Sequence, residues 1–417
     1  MKPLRTLCSA LLALATGSAL AQPVPRDAAP PDAERTSGTH LFVWSGDAER
    51  AETDFLAVVD ADPASPTYAR VLTTLPVGVG GTVPHHTDHA LPADGVLWAN
   101  GFATGQLFRF DLREPLAPRL LGDFVVTGPF MHPHSFARLP DGRALATLQM
   151  RGHANAEPGA LVELDAEGRL LRTADAADPD VERFIRPYSL AVVPALDRVV
   201  TTSADMHVAD VSHVVQVWRL SDLTRVRTVV LPPGPSGDEG NDPAEPRVLE
   251  DGRTVLVSTF SCRLYRLVGL DTDAPSAEFV YHFGGGDCAL PVVAGRYWVQ
   301  TVPAANALVS LDVSDPAHPR EVGRLTLGAA DGPHWIALDP AGRRIVISGG
   351  GGTLERRVLL ADLDPATGAL TLDGRFRDPG ADAPGVSFDR PDWPHGPTGP
   401  AVPHGAVFSR PAYDGAP

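Results

Sequence analysis

Cysteine is scarce in this chain: among 417 residues only Cys8, Cys262 and Cys288 carry a thiol. Cys8 lies in an N-terminal leader, so the rest of the chain holds one pair. An oxidising compartment permits that pair to form a disulfide, and two separately buried thiols fit the sequence equally well. A basic excess is also missing. Lys and Arg number 35 against 51 Asp and Glu, for a formal net charge of −16. Binding to nucleic acid or to an anionic membrane surface needs cationic side chains, so both are disfavoured. The negative charge reads as a solubility feature. No Gly-x-Ser-x-Gly elbow occurs, which removes support for a serine hydrolase. Beyond the leader no run is apolar enough to span a bilayer as a helix. The three-to-four-residue spacing of amphipathic helices hardly appears.

The leader has its own signature. Lys2 and Arg5 precede the apolar stretch Leu7–Ala15, and Ala19-Leu20-Ala21 forms the small-x-small pattern of a signal-peptidase site. Residues 1–21 therefore read as a signal peptide cut after Ala21, and the mature protein as periplasmic or secreted, with no membrane insertion. Residues 22–38 are rich in Pro and Ala without apolar periodicity and read as a disordered linker. Residues 39–417 are expected to form a single domain.

What the chain has in abundance is short alternating apolar runs separated by Asp-Gly, Asp-Pro and Pro-rich turns. Examples are HLFVWSGD (His40–Asp47), HVVQVWRL (His213–Leu220) and NALVSLDV (Asn306–Val313). The runs group into a strand–turn–strand unit. Its first tight turn recurs near Gly95, Gly142, Asp197, Gly252, Gly295 and Gly342, at spacings of 43 to 55 residues. That is the period of a four-stranded propeller blade. Six full units run from Pro84 to Phe376, and the fifth blade, with Pro243 and Pro246, has the weakest first strand. The segment His40–Pro76 supplies three strands without a first, and Pro403–Ser409 a first without followers. Joining them closes a ring and leaves no long open edge. The expected fold is all-β: a seven-bladed β-propeller, its ring closed by the C-terminal strand joining the N-terminal strands.

The start of each blade's first strand faces one mouth of the central channel. Four of these starts carry a Pro-His pair: PHHTDHALPADG from Pro84, PHSFARLPDG from Pro133, PHWIALDPAG from Pro333 and PHGAVFSRPAY from Pro403. His134 and His334 share one register, eight residues before the turn glycine; His85 and His86 lie ten and nine before theirs, an offset a bulge absorbs. Converging imidazoles make a metal site, with His85 or His86, His134, His334 and His404 as a ring of four and His89 as an alternative ligand. His132 is a further candidate. Each histidine taken alone reads more readily as a hydrogen-bonded channel filler; repetition at equivalent positions favours the metal. An all-imidazole donor set suits copper or zinc over magnesium or calcium. Asp88 is a candidate partner to orient His89, or a cap on the strand turn. Asp287, beside Cys288, falls at the ligand register of the sixth blade.

Several segments resemble the selenium-binding protein/methanethiol oxidase family. They are LVSLDVSDPAHPREVGRLTLG (Leu308–Gly328), GPHWIALDPAGRRIVISGG (Gly332–Gly350), MHPHSFARLPDGRALATL, HVVQVWRLSDLTRVRTVVL and ALTLDGRFRDPG (Ala369–Gly380), in collinear order from about Pro84 onward. The resemblance implies a seven-bladed propeller and, for bacterial members, an exported copper enzyme. Such an enzyme converts methanethiol, O₂ and water to formaldehyde, hydrogen sulfide and hydrogen peroxide. It also implies that His85, His86, His134 and His404 are copper ligands. The chain departs from the family in several places, among them a Gly-Gly-Asp near the C-terminus that is missing here. The cysteine cluster after the His-His pair is replaced by TDHALPADGVLWANG, the loop after the seventh blade's second strand by GGGGTLERR, and a usual glutamine by His334. The resulting expectation is an exported copper-dependent oxidase of a small thiol. The alternatives are a non-catalytic propeller that binds a metal, small molecule or partner protein, and a lactonase-like metal-dependent hydrolase.

Overall fold

The computed structural model describes residues 38–152, 157–206, 211–237, 240–352 and 354–414. The expected signal peptide and the expected linker as far as residue 37 lie outside the described residues. The chain forms seven antiparallel sheets arranged as a ring, a seven-bladed β-propeller. Among the described residues no helix is long and apolar enough to cross a membrane.

Blade 1 is composite. Its inner strand is Ala401–Phe408, followed outward by His40–Asp47, Phe55–Asp60 and Val71–Pro76. The inner strands of blades 2 to 7 are Pro84–Thr87, Phe130–Arg138, Pro187–Val193, Pro243–Val248, Pro291–Ala294 and Asp331–Leu338. In blade 1, Leu41 pairs with Phe408, Val43 with Ala406 and Ser45 with Pro403. The ring is thus closed by backbone pairing between the two ends of the chain.

The alternation of small and large apolar residues in the inner and second strands fits the interfaces between blades. Trp44 of blade 1 packs on Phe108 and Phe110 of blade 2, at 5.1 and 5.5 Å between ring centroids, and its indole N–H donates to the Asn100 carbonyl at 2.8 Å. Trp335 of blade 7 repeats the device, donating to the Ala406 carbonyl at 2.9 Å. The tight turns after the first strand use a left-handed residue in each case: Gly95, Gly142, Gly252, Gly295 and Gly342 at φ between 58° and 88°, and Asp197 at 54°. Glycine adopts that conformation without a Cβ clash. Asp197 manages it with side-chain bonds from the Ser221 amide and hydroxyl, both 2.8 Å.

A second repeat fixes the channel wall. Side chains on the second strands donate to carbonyls on the inner strand of the following blade: Asn100 to His134 (3.1 Å), Thr147 to Tyr188 (2.7 Å), Thr202 to Ala244 (2.5 Å), Thr301 to His334 (3.2 Å) and Ser348 to His404 (2.6 Å). Each latch holds one backbone position at the start of an inner strand. Those positions form the ring on which the candidate site is built.

Candidate metal centre

The inner strands carry an irregularity at the same place. Pairing slips by one residue after Pro84, Pro133, Pro187, Pro243, Pro333 and Pro403, which lack the N–H a regular ladder would use. The residue after each proline is turned into the channel. Around the ring these are His404, His85, His134, Tyr188 and Ala244 in blades 1 to 5, and His334 in blade 7. In blade 6 the Thr301 hydroxyl donates to Leu290 as Thr147 and Thr202 do to Ser135 and Ser189, so Ala289 holds the equivalent place. Four imidazoles therefore come from four consecutive blades, and Tyr188, Ala244 and Ala289 complete the circle.

Asp287 does not take the ligand register. The first strand of blade 6 has 4 residues against 6 in blade 5 and 8 in blade 7, so counting back from Gly295 overshoots, and Asp287 lies exposed at the mouth. The adjacent Cys288 is bonded to Cys262, with 4.8 Å between Cα atoms, and both are fully buried. The two open readings of these cysteines resolve to a disulfide.

In blade 2 the slip spans Pro84 to Thr87, so the consecutive residues His85 and His86 both point inward, their rings stacked at 4.3 Å and 5°. His85 lies 4.3 Å from the His404 ring, 5.0 Å from His134 and 6.5 Å from His334; His86 lies 4.3 Å from His134, and His334 5.0 Å from His404. Two overlapping groups result among the described residues. His85, His334 and His404 form one, and His85, His86 and His134 the other, each with ligand atoms within 4.8 Å of one another.

Electrostatics and hydrogen bonding suit these rings to metal binding. Burial pushes the imidazoles of His85, His86, His404 and His334 below the usual range, His334 to about 4, and the crowding of like rings lowers the first three further. They are neutral at physiological pH and keep a lone pair. Nδ1 of His134 lies 2.9 Å from the Tyr188 carbonyl, which can only accept, so Nδ1 carries the proton and Nε2 the lone pair. Ser135 Oγ, 3.1 Å from Nδ1 of both His86 and His134, steadies the two rings together. His85 Nδ1, His86 Nε2 and His404 Nδ1 are buried without a hydrogen-bond partner. Leaving such atoms unsatisfied costs about 1–3 kcal/mol each. A metal ion in the arc would satisfy them, so the donor set fits a thiophilic or imidazole-preferring cation.

His89 lies outside both groups. Its ring stacks on Trp335 at 4.9 Å and 6°, and its Nε2 is 3.3 Å from Arg247 Nη2, a cation that a metal at that nitrogen would oppose. Asp88 does not orient it. Its carboxylate accepts from the Trp98 amide at 2.8 Å, which is the strand-capping role, and burial raises its pKa to about 7. His132, at φ 57°, turns its Nδ1 to the Phe102 carbonyl at 3.3 Å and is in neither group. Sequence reading missed Tyr188, whose ring lies 3.8 Å from His134, and Glu245 at the next level of the channel. The signal was available: Pro187 and Pro243 mark the same slip as the four Pro-His pairs.

No family model matches the chain. One stretch of 115 residues is 36% identical to a methanethiol oxidase of Hyphomicrobium sp, covering 25% of each chain. A stretch of 140 residues is 29% identical to a methanethiol oxidase of Ruegeria pomeroyi, covering 32% of this chain and 31% of that one. The chain thus matches less than a third of the length of these curated relatives. Among solved structures, a hypothetical selenium-binding protein from Sulfolobus tokodaii superposes with a TM-score of 0.71 at 15% identity, over 90% of this chain and 94% of that one. A periplasmic gluconolactonase from Pseudomonas aeruginosa follows at 0.62 and 14% identity, over 89% and 99%. At these identities the structural likeness speaks for the fold alone. Over these stretches the chain resembles methanethiol oxidases, and its fold is the one the selenium-binding protein shares.

Proposed function

We propose that the imidazole arc binds a single copper ion and that the protein is an exported oxidase of a small thiol. The balanced reaction is CH₃SH + O₂ + H₂O → HCHO + H₂S + H₂O₂, with methanethiol as the reference substrate. The observation that carries this reading is the convergence of His85, His134, His334 and His404, with His86 beside them, at one channel mouth, where His85, His86 and His404 each keep a buried ring nitrogen without a hydrogen-bond partner. The matches to methanethiol oxidases support the sulfur substrate. Copper bound there would supply a Lewis acid for thiolate and a one-electron couple for O₂.

The protein's own part is to hold and shape. The Tyr188 carbonyl and Ser135 fix the His134 and His86 rings. Phe102, 5.3 Å from the His85 ring and 5.8 Å from His134, keeps water from that side of the arc. Ala244 and Ala289 leave the facing side of the ring free of bulk, where a small substrate fits. Export agrees with the buried Cys262–Cys288 disulfide, since such bonds persist in oxidising compartments.

The test is metal analysis of purified, copper-loaded protein together with a methanethiol assay that detects sulfide and peroxide. About one copper per chain and turnover are expected. The His134→Ala/His404→Ala variant removes one donor from each group and is expected to lose copper by more than tenfold in affinity. Full copper retention in that variant overturns the ligand assignment, and copper without thiol turnover overturns the activity.

A further inference from the structure

We propose that Glu245 is the proton acceptor of this site and that Ser189 carries the proton out through the far end of the channel. The inference rests on the metal-binding reading of the imidazole arc and adds the base which that reading lacks. Glu245 follows Ala244 in the inner strand of blade 5. It stands at the channel level occupied by His86, Ser135, Ser189, Leu290 and Trp335 in other blades, just below the arc. Its side chain is fully buried. One oxygen, Oε2, accepts from Ser189 Oγ at 2.8 Å and from Arg247 Nη1 at 2.7 Å. The other, Oε1, is buried with no hydrogen-bond partner. An unsatisfied buried carboxylate oxygen costs free energy, and a function that uses it explains its persistence.

Two further observations give that oxygen a donor side and an exit side. The Tyr188 ring lies 3.8 Å from that of His134, and the next residue, Ser189, is bonded to Glu245, so the carboxylate lies one inner-strand level from the arc. On the opposite side, Ser189 and Arg247 border a cleft of about 460 Å³ that opens at the other mouth of the channel, together with His89, Arg138 and Arg410. Arg247 braces the carboxylate from that side, bonded to the Pro291 carbonyl at 3.1 Å and to His89.

The step balances as H–X + Glu245–COO⁻ → X⁻ + Glu245–COOH, where H–X is a weak acid such as a thiol. The X–H bond breaks, an O–H bond forms at Oε1, and X⁻ remains on the imidazole side. The carboxyl group then turns its O–H toward Ser189 Oγ, the Ser189 hydroxyl swings from Oε2 to a water in the cleft, and Ser189 accepts the carboxyl proton as it releases its own to that water, restoring the carboxylate. No oxidant is needed for this exchange.

The test uses the full-length, zinc-loaded protein, which is redox-silent, with hydrogen cyanide at pH 7 as the probe. Calorimetry in buffers of different ionisation heats counts the protons released per cyanide bound. Wild type is expected to release less than half a proton and to gain a carboxylic acid band in its infrared difference spectrum. Glu245→Gln is expected to release a full proton, lack that band and bind at least tenfold more weakly, with unchanged zinc content. A full proton released by wild type with no carboxylic acid band overturns the proposal, and this arm needs no variant. Methanethiol turnover is scored separately: its absence, with the cyanide result intact, removes the thiol oxidase reading and leaves Glu245 in place.

Discussion

At the scale of the residue, the metal-free site is a set of stored protonation defects. The imidazoles of His85, His86, His334 and His404 are held below their ordinary range by burial, whereas in the unfolded chain they titrate near 6.5. Below about pH 6.5 the unfolded chain binds more protons, so stability is full above that value and declines as pH falls. For His334 the decline continues to about 4. Each such group contributes a slope of up to about 1.4 kcal/mol per pH unit. The metal-free protein is therefore expected to lose thermal stability steadily from pH 7 to pH 5. His334→Gln, which restores the residue usual in the family, is expected to reduce the slope by one proton's worth. Melting curves at pH 7, 6 and 5 on both proteins check this; equal slopes would refute it.

At the scale of the element, the blade is a repeated solution to one geometric problem, and its legibility in the sequence depended on regular length. The histidine arc was readable because Pro-His pairs stand at one distance from a turn glycine in blades 3 and 7, and the bulge in blade 2 shifts that distance without changing the ring. Blade 6 was not readable the same way. Its inner strand is short, and only the Thr301 latch reveals that Ala289, not Asp287, faces the arc. Glu245 escaped because a lone Glu between two prolines has no pattern; its role depends on Ser189, Arg247 and Tyr188, which meet only in the folded ring. The turn glycines, by contrast, state their reason openly. Gly342 sits at φ 68° with open space around the place a Cβ would occupy. Gly342→Ala is expected to cost about 1–2 kcal/mol through backbone strain alone, read as a lower denaturant midpoint with unchanged metal content. A neutral result would mean the turn reshapes without penalty.

At the scale of the whole molecule, one strand does two jobs. Ala401–Phe408 closes the ring against His40–Asp47 and also delivers His404 to the arc. Val407 and Phe408 are buried there, worth about 1.5–3 kcal/mol each, against a total stability of about 5–15 kcal/mol for a typical domain. Without the strand, Leu41–Val43 becomes an exposed apolar edge open to pairing with other chains. A chain ending at Pro400 is therefore expected to aggregate or remain unfolded. Covalent order, however, is not what the ring requires. Ser409 Oγ accepts from the His40 amide at 3.0 Å, so the end of the closing strand lies beside the start of the next one. A permuted chain that begins at Ala401, joins Ser409 to Gly38 through a short turn and ends at Gly399 turns the closure into an ordinary hairpin. It is expected to fold and to bind copper with wild-type stoichiometry. Sedimentation, circular dichroism and metal analysis of the truncated and permuted chains decide the matter. A soluble, folded truncation with full metal content would show that neither ring closure nor metal binding depends on this strand.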